Sequence, residues 1–247
     1  MTEPVHAAPS HRPPVVLLPS LGRPAADFDR LVADLHTAGF EAVALDPPHE
    51  VTGELTLHDL ASVVVAELDA RGFDRVHLIG HAFGQRLARC VVADAPERVD
   101  SLVMLAAGGL VHMAPDIAAS LLACFDDTLP ADEHLHHVRT VFFADGNDPT
   151  VWVDGWMRDV ALLQSGAVQR TPPGEWTGVA AARVLVVQGL QDVCAVPENG
   201  RRYAAMHPDR VRLVEIEGAG HALLPEQPDA ISAAVIGFLT GDGEPTA

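Results

Sequence analysis

Positive charge is what the chain lacks most: 16 Lys and Arg stand against 34 Asp and Glu, a formal net charge of −18. The summed field of such a surface repels nucleic acid and anionic membranes, so neither is expected as a partner. Cysteine is scarce as well. Cys90, Cys124 and Cys194 are odd in number and widely spaced, which argues against a disulfide framework or a zinc knuckle and makes a reducing compartment the default. No run of apolar residues approaches membrane-spanning length, and the Pro- and His-rich stretch 1–14 has no continuous apolar core. A cytoplasmic protein is expected, with a disordered arm over 1–13. No repeat is visible, and no Gly-x-Gly-x-x-Gly follows the first apolar run, which sets aside a dinucleotide-binding sheet. His134, His136 and His137 offer an i, i+3 pair with no acidic or cysteine partner at metal-site spacing. Neither a metal nor a cofactor is expected.

What remains is a chain of 247 residues, 48% hydrophobic and 20% charged, ordinary for one large α/β domain. Short apolar runs at 15–18, 42–45, 76–80, 99–106, 183–188 and 211–216 read as buried strands. Helical patterns separate them. Phe28, Leu31, Val32 and Leu35 recur at i, i+3, i+4, i+7, with Asp27 as N-cap and Gly39 as stop. Thr56 and Asp59 form a capping-box pattern ahead of Leu57, Leu60, Val64 and Leu68, and Gly72 closes that helix. A last helix over 229–240 presents Ile231, Val235, Phe238 and Leu239, and 241–247 reads as a tail. Strands joined by helical crossovers give a mostly parallel sheet of about six strands flanked by helices, with ligands outside the strands' carboxyl ends.

One stretch stands out from this rhythm. An apolar strand over 76–80 turns at Gly80-His81-Ala82-Phe83-Gly84 and continues as a helix. In Gly-x-Ser-x-Gly the middle residue occupies a strained strand-to-helix turn with its side chain raised above the sheet; here that residue is Ala82. Gly189-Leu190-Gln191-Asp192 directly follows the fifth strand and Gly218-Ala219-Gly220-His221 the sixth. Elbow, acid and histidine in this order resemble the α/β-hydrolase family from Val15 to Leu239, without the two leading strands many members carry. The family's other acid location, after the fourth strand, holds Ala106-Ala107-Gly108-Gly109.

The resemblance implies a core over 14–108 and 183–240 with a helical lid inserted at 109–182. Helices are expected there near 115–125, 131–143 and 149–167, with Met113, Phe125, Phe142, Phe143, Trp152 and Trp156 burying the lid and lining an apolar pocket. It implies Asp192 and His221 as a base pair, an oxyanion hole from the backbone N–H groups of Leu21 and Phe83, and Ser20 and Arg23 as substrate contacts beside the first strand. The chain departs from the family at Pro19-Ser20, at Pro47-Pro48 and at Gln85.

Ala82 removes the acyl-enzyme route, since the nucleophilic hydroxyl is gone. Two explanations stay open: a native serine was replaced, or alanine is native and the site does other work. With native alanine, His221 held by Asp192 can activate water or take an acidic proton while the two amides stabilise the oxyanion. The expected function is therefore an enzyme acting on an apolar carbonyl-containing small molecule by hydrolysis or a lyase- or cyclase-type proton transfer. The alternatives are a serine ester hydrolase inactivated at position 82 and a non-catalytic small-molecule binding protein on the same fold.

Overall fold

The computed structural model describes residues 12–48, 53–177 and 183–241. Most of the expected arm and tail lies outside those residues. Strands β1 (Val15–Leu18), β2 (Ala42–Ala44), β3 (Val76–His81), β4 (Val99–Leu105), β5 (Arg183–Gly189) and β6 (Val211–Ile216) form one sheet in the order β2-β1-β3-β4-β5-β6. Every pairing is parallel. The first two strands run outward one way and the later four the other, so the order reverses between β1 and β3, where such sheets open a crevice at their carboxyl ends.

Burial on both faces explains the continuous apolar runs: β1 and β3 have no exposed residue. Helices α1 (Asp29–Thr37) and α9 (Pro228–Thr240) cover one face, closing over Val15, Leu17, Ile79 and Val103 with Phe28, Leu35, Ile231 and Val235. Helices α2 (Leu57–Arg71), α3 (Phe83–Asp94) and α8 (Glu198–Met206) cover the other, closing over Val16, Leu78 and Leu102 with Leu60, Val91 and Tyr203. Burial of each large apolar side chain contributes about 1.5–3 kcal/mol.

Local signals decide the helix ends. The Asp59 amide donates to Thr56 Oγ1 at 3.2 Å and the Thr56 amide to Asp59 Oδ2 at 2.8 Å, so the capping box is formed, and Gly72 ends α2 in the left-handed region. Asp27 does not cap α1. It lies in a single 3-10 turn, Ala25–Phe28, and its carboxylate is taken by Arg23, because a buried guanidinium is a stronger claimant than a helix amide.

Between β4 and β5 the chain carries α4 (Pro115–Ala123), α5 (Ala131–Phe142), a 3-10 turn Pro149–Trp152, α6 (Arg158–Arg170) and α7 (Pro173–Trp176). The single helix expected over 149–167 is broken after the 3-10 turn, with Gly155 at φ +87° ahead of α6. Cys124, Val138, Phe142, Phe143 and Trp152 form a third core that includes Ala222 from the loop after β6, and Phe125 and Trp156 pack against it. This segment, expected as the insertion, is therefore anchored beside the loop that carries His221. No helix among the described residues is long and apolar enough to cross a membrane.

Candidate active site

At the carboxyl end of β3 the backbone turns through Ala82, at φ 49° and ψ −103°, before α3 begins at Phe83. A non-glycine residue there stores about 1–3 kcal/mol of strain. Packing holds it: a Cβ on Gly84 would strike the Leu18 and Pro19 carbonyls, and one on Gly80 the backbone of Gly84 and Gln85. The Ala82 amide donates to Leu105 O at 2.9 Å, fixing the apex to β4. Ala82 keeps partial exposure while His81, Phe83, Gly84 and Gln85 are buried.

Asp192 and His221 meet as the strand ends require. His221 Nδ1 lies 2.9 Å from Asp192 Oδ2, and since a carboxylate only accepts, Nδ1 carries the proton. Asp192 is 2% exposed and His221 4%. The carboxylate is saturated: Oδ1 accepts the Cys194 and Ala195 amides at 2.8 and 2.7 Å, and Oδ2 also accepts Gln188 Nε2 at 3.1 Å. Burial alone would lower the His221 pKa; the Asp192 charge, helped by Cys194, outweighs it and holds the pKa well above the ordinary histidine value. The Asp192 carboxylate thus favours the imidazolium, and the ring becomes a better proton acceptor as pH rises.

The histidine loop is pinned by a residue with no sequence signal. Glu226 Oε2 accepts the Gly220 and Leu223 amides at 2.8 and 3.0 Å, while Oε1 accepts the Ala144 amide and Asn147 Nδ2, both at 2.7 Å. One carboxylate thereby ties the His221 loop to the insertion. Phe142 covers the His221 ring at 5.5 Å between centroids. His81 packs beneath, its Nε2–H donating to the His221 carbonyl at 2.8 Å while Nδ1 is buried without a partner. Burial pushes the His81 pKa down to about 3, so it stays neutral.

The remaining residues expected at the site divide. Leu21 is half-buried, and among the described residues its amide has no backbone acceptor; the Phe83 amide opens α3, where helix geometry offers it no intrahelical acceptor. Ser20 is buried in the turn after β1, where its carbonyl accepts the Arg23 amide at 3.2 Å. Arg23 is neither a surface residue nor open to a ligand. Its Nε and Nη2 donate to Asp27 at 2.9 and 2.8 Å, its Nη1 to the Asp154 carbonyl at 2.7 Å, and its guanidinium lies 4.5 Å from the Trp152 centroid and 4.6 Å from that of Trp156. It joins the β1 turn to the insertion. Of the six apolar residues expected around a pocket, Phe142, Phe143 and Trp152 are buried in the insertion core, Phe125 and Trp156 pack on it, and Met113 lies outside it. A cleft of about 1120 Å³ opens beside Phe125, Trp156 and Leu163, and His221 does not line it.

Among the described residues one group has metal-ligand geometry: donor atoms of His58, Cys90 and Asp94 lie within 4.8 Å of one another. Bonds from Asp94 and Glu175 raise the His58 pKa, and burial pushes the Cys90 thiol up to about 12. Both shifts favour the protonated forms, from which ligation must remove a proton.

A six-stranded parallel sheet with a strained elbow after β3, an acid after β5 and a histidine after β6 defines the α/β-hydrolase class. The chain belongs to it: the model of the alpha/beta hydrolase family matches residues 15–234. It is 25% identical to 2-hydroxy-6-oxo-6-phenylhexa-2,4-dienoate hydrolase of Comamonas testosteroni, over 87% of this chain and 82% of that one. It is 26% identical to rhodomycin D methylesterase DauP of Streptomyces sp. strain C5, over 84% of each. Among solved structures, Rv0554 of Mycobacterium tuberculosis is similar with a TM-score of 0.78, 22% identity, and coverage of 92% of this chain and 90% of that one.

Proposed function

We propose that this chain is an enzyme acting on an apolar carbonyl-containing small molecule, with the Asp192/His221 pair as base on water or on the substrate and the Leu21 and Phe83 amides as oxyanion hole. The observation that carries the reading is the His221 Nδ1–Asp192 Oδ2 bond of 2.9 Å on a fully bonded carboxylate. It leaves Nε2 as the ring's proton acceptor once the imidazolium is discharged. In hydrolysis, Nε2 takes a proton from water, the hydroxide attacks the carbonyl carbon, and the oxyanion forms against the two amides. Collapse returns the proton to the leaving group. Each well-placed amide supplies about 2.7–4 kcal/mol to such a transition state. No acyl-enzyme forms, because Ala82 offers no hydroxyl. Residues 109–182 act as a lid whose aromatic side chains exclude water.

The hydrolase and methylesterase names of the two relatives support trying both C–C and ester cleavage. The test uses 2-hydroxy-6-oxo-6-phenylhexa-2,4-dienoate and 4-nitrophenyl butyrate. Turnover is expected to rise with pH through an apparent pKa above 6.5, the direction in which Asp192 moves His221, and to fall about 100-fold or more in His221→Ala. A second reading is favoured by the elbow, which keeps its strain at Ala82 without a side chain to use it. It makes the chain a serine hydrolase disabled at that position. Activity confined to Ala82→Ser, with a covalent acyl adduct by mass spectrometry, selects that reading; tight ligand binding without turnover in either form selects a binding protein.

A further inference from the structure

Seven buried side-chain atoms among the described residues have no hydrogen-bond partner, and four of them are donors of a single cluster: Gln85 Nε2, Arg89 Nε, Arg89 Nη2 and Trp176 Nε1. Arg89 is 0% exposed. Its Nη1 donates to Gln85 Oε1 at 2.9 Å and to the Gly108 carbonyl at 3.5 Å. Its guanidinium stacks 5.0 Å from the Trp176 centroid and 4.6 Å from that of Tyr203, and the Arg86 guanidinium stacks 5.2 Å from Trp176. No carboxylate among the described residues pairs with either arginine, in a chain with 34 acidic residues and 16 basic ones. Arg23, the other arginine buried this deeply, has Asp27 in a two-point ion pair.

An unpaired buried cation is costly, and two adjacent ones are more so. Burial depresses both, Arg89 to about 10, and both remain cationic at neutral pH.

The cluster lies beside the loop that carries Asp192. Arg86 stands in the first turn of α3, and like Ala82 and Cys194 it is partly exposed. Its Nη2 is 3.7 Å from the place a Gly108 Cβ would take, and the Ala195 Cβ is 3.5 Å from that place. Ala195 donates its amide to Asp192.

From this convergence of donors we infer that Arg86, backed by Arg89, Gln85 and Trp176, binds a carboxylate group of the small molecule on which Asp192 and His221 act. The inference rests on the function proposed above and makes the substrate an anion. A planar guanidinium fork accepts a carboxylate at two points, and the amino end of α3 adds partial positive charge. The anion supplies the counter-charge that the two arginines lack among the described residues.

The test is independent of turnover. Binding of benzoate, hexanoate and benzamide is measured by calorimetry at fixed ionic strength for the unaltered protein and for Arg86→Gln, Arg86→Lys and His221→Ala. The two carboxylates are expected to bind and the neutral amide not. Arg86→Gln should weaken carboxylate binding about tenfold or more, with partial recovery in Arg86→Lys, whereas His221→Ala should still bind, which separates failure of this site from failure of the catalytic reading. Unchanged melting temperature in Arg86→Gln would exclude misfolding as the cause. The assignment is overturned if neither carboxylate binds, if benzamide binds as well as benzoate, if Arg86→Gln leaves binding intact, or if chloride and inorganic phosphate displace benzoate at equal concentration.

Discussion

His81 and His221 show how neighbours divide two side chains of one chemistry. Their rings lie 5.6 Å apart, yet burial against a carbonyl lowers the pKa of one while a carboxylate raises that of the other. The consequence for stability has a definite sign. With its pKa near 3 in the folded protein, His81 is unprotonated between about pH 3 and 6.5, whereas in the unfolded chain it binds a proton there. Folding therefore weakens as pH falls through that window, by about 1.4 kcal/mol per pH unit for one proton. In His81→Gln, which keeps a donor to the His221 carbonyl, the acid limb of stability against pH should lose about one proton's slope; urea titrations at pH 4, 5 and 6 read it. Arg23 is a second residue whose role only the fold assigns. Arg23→Met keeps the stem but leaves Asp27 buried without its partner, an expected cost of about 3–5 kcal/mol, recovered in Arg23→Met/Asp27→Leu. Calorimetric melts check both, and limited proteolysis of 109–177 should be faster in the single variant.

Among the elements, the elbow is the most exacting. Its helix starts within a residue of the strand's end because Gly84 lets the turn lie against the Leu18 and Pro19 carbonyls. Gly84→Ala forces the β1 turn outward, with an expected loss of about 1–3 kcal/mol and displacement of Leu21; a fall in melting temperature together with loss of any turnover checks it. Much at this scale is legible in the sequence. Thr56, Asp59 and Gly72 act within one helix, where a few residues decide the outcome, and all three do what their spacing implies. The six strands stand out because both faces of a parallel sheet demand apolar residues. Other features are settled across the fold. Asp27 answers to Arg23 rather than to its own helix. Glu226 gathers amides from 144, 220 and 223, and the donors of Gln85, Arg89 and Trp176 come together across 91 positions of chain only when α7 packs on α3. No local pattern records such meetings.

In the whole molecule, the parallel sheet brings residues far apart in sequence to one rim, which is why the pairing of Asp192 with His221 could be anticipated from two short motifs. Order along the strands sufficed, since each motif directly follows a strand and all six strands point the same way. The packing of α4 to α7 was less accessible, because it depends on contacts with the loop after β6 that no local pattern records. The apex at Ala82 carries a last consequence. Its contorted backbone is imposed from outside, by β1 and by two flanking residues without side chains, and owes nothing to the group mounted there. Position 82 is therefore a socket: a serine, cysteine or aspartate can be fitted with little rebuilding of the surrounding frame, and any gain in rate reports the new group's reactivity alone.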